Sequence, residues 1–249
     1  MRSLRSGFRF CTFFLFTFGL YAVWRAGTYF APSPARWRQR IFRYWARGLV
    51  TISAMRIEVI GKPPEPPFLL VSNHLGYTDI AAIRSQLANG VFVAKSDVKG
   101  WFLIGKMVSD MQTIFIDRRN RRDIPRAGAA IVARLDEGEG VILFPEGTST
   151  SGERVLPFKS SLLQCGAERN LPVSYLSVSY RTGPDDPPAG ECISWCDETP
   201  LLVHVWRLLG LKGYSVILNF GEEPVANRDR KKLACDLHRE VSRRFVPVA

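Results

Sequence analysis

His74 and Asp79, five residues apart in the stretch FLLVSNHLGYTD (68–79), are the side chains best placed to move a proton. Five residues cover about 500° of an ideal helix at 3.6 residues per turn. On a single helix the two would therefore point apart. They meet only if His74 lies in a loop and Asp79 in the first turn of the helix that follows. A carboxylate there is favoured by the helix N-terminus. It can accept from one imidazole nitrogen, fix the tautomer, and stabilise the imidazolium once the other nitrogen has taken a proton. The plainer alternative is a satisfied structural histidine beside a capping aspartate.

The elements around this pair have a recognisable pattern. Phe68, Leu69, Leu70 and Val71 form a short apolar run after the Pro-rich link GKPPEPP (61–67), as a buried strand does. The IAAI at 80–83 begins a helical pattern. In an open α/β sheet, the strand-to-helix edge is where ligands bind. Two more apolar runs end in loops rich in functional groups. QTIFID (112–117) is followed by Arg118, Arg119, Arg121 and Arg122. Directly after a strand, Arg118 can hold a phosphate bidentately; a solvated charge run is the alternative. VILFP (141–145) leads into EGTSTSGERVLPFKSS, where Pro145 and Gly147 shape a tight turn. Glu146, Thr148 and Ser149 then bring a carboxylate and two hydroxyls to the same edge, unless this is an ordinary strand-exit turn. Lys95 and Lys159 are further candidates for binding an anion, with surface lysines as the alternative.

Strands are expected near 68–72, 91–95, 112–117, 141–145, 172–179, 191–195 and 215–220. Helices are expected at 79–89, 98–110, 123–137, 159–169, 200–209 and 228–244. Asp123 and Asn227 are the expected caps of the third and last of these. Such alternation predicts an α/β fold, a largely parallel central sheet flanked by helices.

The 249 residues carry a net charge of +11, unevenly spread. Residues 1–60 hold ten Arg, no Lys and one acid, leaving 24 basic and 22 acidic side chains for the rest. A basic arm suits nucleic acid or an anionic membrane surface. The uncharged, Phe-dense run FCTFFLFTFGLYAVW (10–24) favours the membrane. As a helix it spans about 23 Å, short of a ~30 Å hydrocarbon core unless extended past Arg25 to Ala31. A signal peptide also starts with charge and an apolar run, but no clear A-x-A site follows. In RWRQRIFRYWARGLVTISAM (36–55), Trp37, Ile41, Trp45 and Leu49 recur every four residues, with Arg36, Arg40, Arg43 and Arg47 around them. That is the pattern of an interfacial helix, or of a helix packed on its own domain. The expected organisation is a membrane-associated two-helix arm over 1–60 and a catalytic domain over 66–249, with its motifs in 66–182.

This set of motifs resembles the glycerophospholipid acyltransferase family, typified by 1-acylglycerol-3-phosphate acyltransferases. N-H-x4-D matches Asn73, His74 and Asp79; G-x-x-F-I-D-R matches Phe115 to Arg118; F-P-E-G-T-R-S matches Phe144 to Thr148. Gln112 stands at the second motif's Gly, Ser149 at the third motif's Arg, and Tyr175 at the Pro of a V-P-V-type strand. FPEGTS followed by LPFKSS is similar to a bacterial branch that includes lyso-ornithine lipid acyltransferases.

The resemblance implies that His74 is the general base and Asp79 orients and charges its imidazole. It also implies that Arg118 holds an acceptor phosphate, with Glu146, Gly147 and Thr148 on the glycerol part. The implied donor is a thioester, acyl carrier protein or acyl-CoA, already activated and needing no enzyme nucleophile. The implied acceptor is 1-acylglycerol 3-phosphate, with glycerol 3-phosphate or a lyso-ornithine lipid as alternatives. No metal, cofactor or nucleic acid is expected, and the implied location is the cytoplasmic face of a bacterial inner membrane. A non-catalytic membrane-binding module is the reading from another class, and the intact His74 and Asp79 argue against it. No G-x-S-x-G occurs, Cys192 and Cys196 lack a second pair for zinc, and His204 and His238 fit structural positions on apolar-patterned helices.

Overall fold

A computed structural model describes residues 2–117, 120 and 122–248. Two helices, α1 (Arg2–Gly27) and α2 (Pro34–Ile52), precede an α/β body. Then follow β1 (Met55–Ile60), β2 (Leu69–Ser72), α3 (Thr78–Gln86), β3 (Val91–Lys95), α4 (Ile104–Asp110), β4 (Ile114–Ile116), α5 (Asp123–Asp136) and β5 (Val141–Leu143). The chain closes with α6 (Gln164–Glu168), β6 (Val173–Thr182), α7 (Ala189–Cys192), α8 (Leu201–Leu209), β7 (Tyr214–Phe220) and α9 (Arg230–Arg244).

The strands form one seven-stranded sheet in the order β1-β7-β6-β2-β5-β3-β4. Every pairing is parallel except β6 with β7. The carboxyl ends of β2, β5, β3 and β4 therefore share one edge, and His74, Glu146 and Lys95 lie there. β2 is buried along its whole length, as its unbroken LLVS run requires of a strand covered on both faces. One face of the sheet packs Leu70, Ile83, Phe92 and Leu218 with residues of α8 and the arm. The other packs Leu69, Val71 and Leu143 with residues of α5 and α9.

Several local expectations need correction. The 1–60 arm takes in β1, which pairs with β7 as the edge of the sheet. Its outward side chains are exposed, so no apolar run announced it. The 191–195 strand is instead the short helix α7 and its exit, with Cys192 N and Ile193 N donating to Pro188 O and Ala189 O. A short apolar run suits either form, and periodicity alone does not separate them. The 98–110 helix is broken at Leu103, whose φ is +59°. Asp123 does not cap α5; its Oδ2 accepts from Asp117 N at 2.7 Å. Asp229, not Asn227, caps α9 by accepting from Lys231 N and Lys232 N.

The aromatic face of α2 packs on α1 and on the body. Trp37 Nε1 donates to Trp24 O and Trp45 Nε1 to Thr17 Oγ1, so both tryptophans pack on α1. Phe42 lies edge-on to core Phe92. Arg38 is buried and paired with Glu139. Gln39 donates to Glu139 and accepts from buried Arg84 at 2.8 Å each. Arg5 and Arg9 donate to Gly210 O and Leu211 O at the C-terminal end of α8, where cations complement the helix dipole. The exposed residues of α1 include Leu4, Phe8, Leu15, Phe18 and Val23, with Arg2 near its start and Arg25 near its end. By length and composition, α1 could cross a membrane.

Candidate active site

β2 ends at Ser72, and Asn73 extends its pairing with a side chain. Its Nδ2 donates to Val178 O at 2.9 Å and its Oδ1 accepts from Val178 N at 2.8 Å. Only an amide supplies donor and acceptor in this form. This rung ties the start of the loop to β6 and leaves His74 just beyond the sheet edge. The loop 74–77 then turns into α3.

His74 Nδ1 lies 2.8 Å from Asp79 Oδ2. Since a carboxylate only accepts, Nδ1 carries the hydrogen and Nε2 keeps a free lone pair. The imidazole stacks on Phe144, 4.1 Å between centroids and 19° apart in plane, and its side chain is 22% exposed. Asp79 is 0% exposed. Its Oδ2 also accepts from Leu75 N and Gly76 N, and its Oδ1 accepts from Tyr180 Oη at 2.8 Å. Four donors converge on one buried carboxylate. The site is thus a part-exposed imidazole held by a buried carboxylate.

Glu146 follows β5 and closes the loop from the other side. Its Oε2 accepts from His74 N at 3.1 Å and its Oε1 from Leu156 N at 2.9 Å. At 2% exposure it faces inward. Glu146 was expected on the glycerol part of the acceptor; in the structure both of its oxygens accept from backbone N–H groups. Burial pushes its carboxyl up to about 7 against the pull of those two N–H groups, with the Asp79 charge adding to the rise.

Gly147 has φ +76°, a region that favours glycine. A Cβ there would also run into the Lys159 side chain, so Lys159 crosses this turn. Thr148 and Lys95 are exposed at the same edge. The structure brings His74, Asp79 and Glu146 into one cluster with Gly147 and Lys159 beside it. Arg118 lies outside the described residues.

Two residues without a sequence signal complete the site. Tyr180 reaches Asp79 from β6. Trp195 lies across both loops: its N donates to Leu75 O at 2.8 Å and its O accepts from Ser149 Oγ at 2.6 Å. At Gly76 the approach is close: Trp195 N passes 3.1 Å from where a Cβ would stand. Each of these contacts joins segments distant in sequence, so no local pattern could reveal it.

A base of this kind at the carboxyl edge of a parallel sheet suits transfer chemistry on a hydroxyl, and comparison with known proteins gives the class. The chain belongs to the acyltransferase family, whose model, described as Acyltransferase, matches residues 56–179. It is 32% identical over 198 residues to a lyso-ornithine lipid O-acyltransferase of Pseudomonas aeruginosa, covering 79% of this chain and 75% of that one. A 1-acyl-sn-glycerol-3-phosphate acyltransferase of Neisseria meningitidis is 31% identical over 74% of this chain and 71% of its own length. The crystal structure of the Thermotoga maritima 1-acyl-sn-glycerophosphate (LPA) acyltransferase, PlsC, shares the fold with a TM-score of 0.68 at 21% identity. That match covers 98% of this chain and 97% of the other. The chain is therefore an O-acyltransferase of the 1-acylglycerol-3-phosphate acyltransferase type, acting on lysophospholipid-type substrates.

Proposed function

We propose that the chain moves a fatty acyl group from a thioester to the free 2-hydroxyl of 1-acylglycerol 3-phosphate at a membrane surface. The observation that carries this reading is the His74–Asp79 pair, with Nδ1 committed to the carboxylate and Nε2 left to accept. Nε2 takes the hydroxyl proton as the oxygen bonds to the thioester carbonyl carbon. The C–S bond then breaks and the proton passes to the departing thiolate. Asp79 stabilises the imidazolium between those steps. The donor is acyl carrier protein or acyl-CoA. Arg118, after the strand β4, is proposed to hold the acceptor phosphate, with Thr148 and Lys95 at the same edge. The exposed apolar side of α1 rests on the anionic cytoplasmic face of the inner membrane, with the exposed Arg36, Arg40 and Arg47 of α2 nearby.

A second acceptor, a lyso-ornithine lipid, is favoured by one observation. Ser149 occupies the third motif's Arg position, and its hydroxyl is spent on Trp195 O, so this position offers no cation to a phosphate. Lyso-ornithine lipid carries a carboxylate and an amine but no phosphate. The test is purified protein with a labelled thioester donor, offered both lysolipids separately. Acylated 1-acylglycerol 3-phosphate supports the first reading. Product from lyso-ornithine lipid alone replaces it with the second, and no product from either contradicts both.

A further inference from the structure

We propose that Tyr180 is a positioning residue that sets the basicity of His74 through Asp79. The inference rests on His74 being the base. Asp79 Oδ2 has three donors, His74 Nδ1, Leu75 N and Gly76 N, whereas Oδ1 has the Tyr180 hydroxyl at 2.8 Å. That hydroxyl does two things. It fixes the rotation of the carboxylate so that Oδ2 stays aimed at the imidazole. It also draws negative charge toward Oδ1, which moderates the hold of Asp79 on an imidazolium.

The donor is set on a rigid element. Tyr180 is buried on β6, whose register is fixed by β2 on one side and β7 on the other. Burial, with the nearby Asp79 charge adding to it, pushes its phenol well above the ordinary tyrosine value, so it remains a donor across the working pH range. Among the described residues, Glu146 and Tyr214 are titratable groups close to this cluster, with Tyr77 at the end of the His74 loop and its hydroxyl on His204 Nδ1. Glu146, from the turn after β5, accepts the His74 backbone N–H. Tyr214 of β7 lies 6.1 Å from the Tyr180 ring and donates to Ser53. Neither touches the Asp79 carboxylate, so Tyr180 is the side-chain donor that tunes it from behind.

Without the hydroxyl, Asp79 would hold the imidazolium more tightly. His74 would then stay protonated to higher pH and return its proton to the leaving thiolate less readily. A merely structural tyrosine would lower stability and leave His74 as it was.

The experiment uses full-length Tyr180→Phe in detergent. Its imidazole resonances are titrated by NMR, where three histidines, 74, 204 and 238, keep the spectrum assignable. The pH–rate profile is measured alongside. The His74 pKa and the acid limb of kcat should both rise by about half a unit or more, and kcat near neutrality should fall about tenfold with KM little changed. An unchanged His74 pKa in the folded variant overturns the proposal. A His74 pKa that moves while the acid limb stays put supports the coupling and removes His74 from the role of base. If the Phe variant does not fold, 3-fluorotyrosine at 180, a stronger donor, should move the His74 pKa downward, and no movement overturns the proposal.

Discussion

Asp79 has no solvent contact and four donors, so its charge is committed to the His74 loop. Asp79→Asn removes that charge and sets an amide N–H against one of those donors. Acyl transfer should then fall by about 10² or more, read as kcat on folded protein. Glu146 works on stability instead. Its folded carboxyl sits at about 7, above the ordinary 4.5. The stability linked to its neutral form is complete below the unfolded value and declines as pH rises through the folded one. Glu146→Gln should cost about 1–3 kcal/mol, because its amide N–H opposes a backbone donor. Thermal melts should show the gap to wild type narrowing between about pH 5 and pH 8. His74 and Asp79 were legible because their meeting is local, a loop-to-helix step of five residues. Tyr180 was not, since it reaches Asp79 from 101 positions away.

Elements set where those residues stand. The parallel strands were legible from unbroken apolar runs such as LLVS and VILF, and their shared carboxyl edge followed from the alternation with helices. β1 was hidden because an edge strand with exposed side chains lacks such a run. α2 showed its periodicity, but the pattern could not say what would cover the apolar face. The answer lies in the buried cluster of Arg38, Gln39, Arg84 and Glu139, which locks α2 to α3 and to the turn before β5. Glu139→Ala leaves Arg38 buried without its closest anion. It should cost roughly 3–5 kcal/mol in denaturant unfolding. An unchanged midpoint would mean that α2 is held by apolar packing alone.

At the scale of the whole molecule, the arm is part of the body, and fewer of its arginines face outward than the charge pattern implied. Arg5, Arg9 and Arg38 are used internally, so the proposed attachment assigns the larger part to the exposed apolar side of α1, beside Arg36, Arg40 and Arg47. Phe8→Ser with Leu15→Ser and Phe18→Ser should release the folded protein from anionic vesicles in a flotation assay. High salt should not release the wild type, because apolar burial is not screened as charge is. Release of the wild type by salt alone would place the attachment in the arginines instead. The proposed chemistry requires His74 as the base that activates the acceptor hydroxyl, and the most direct test is acyl transfer by folded His74→Ala with a labelled thioester donor and lysolipid. The predicted result is a rate lower by at least about 10² with native-like melting; turnover at the wild-type rate would contradict the account.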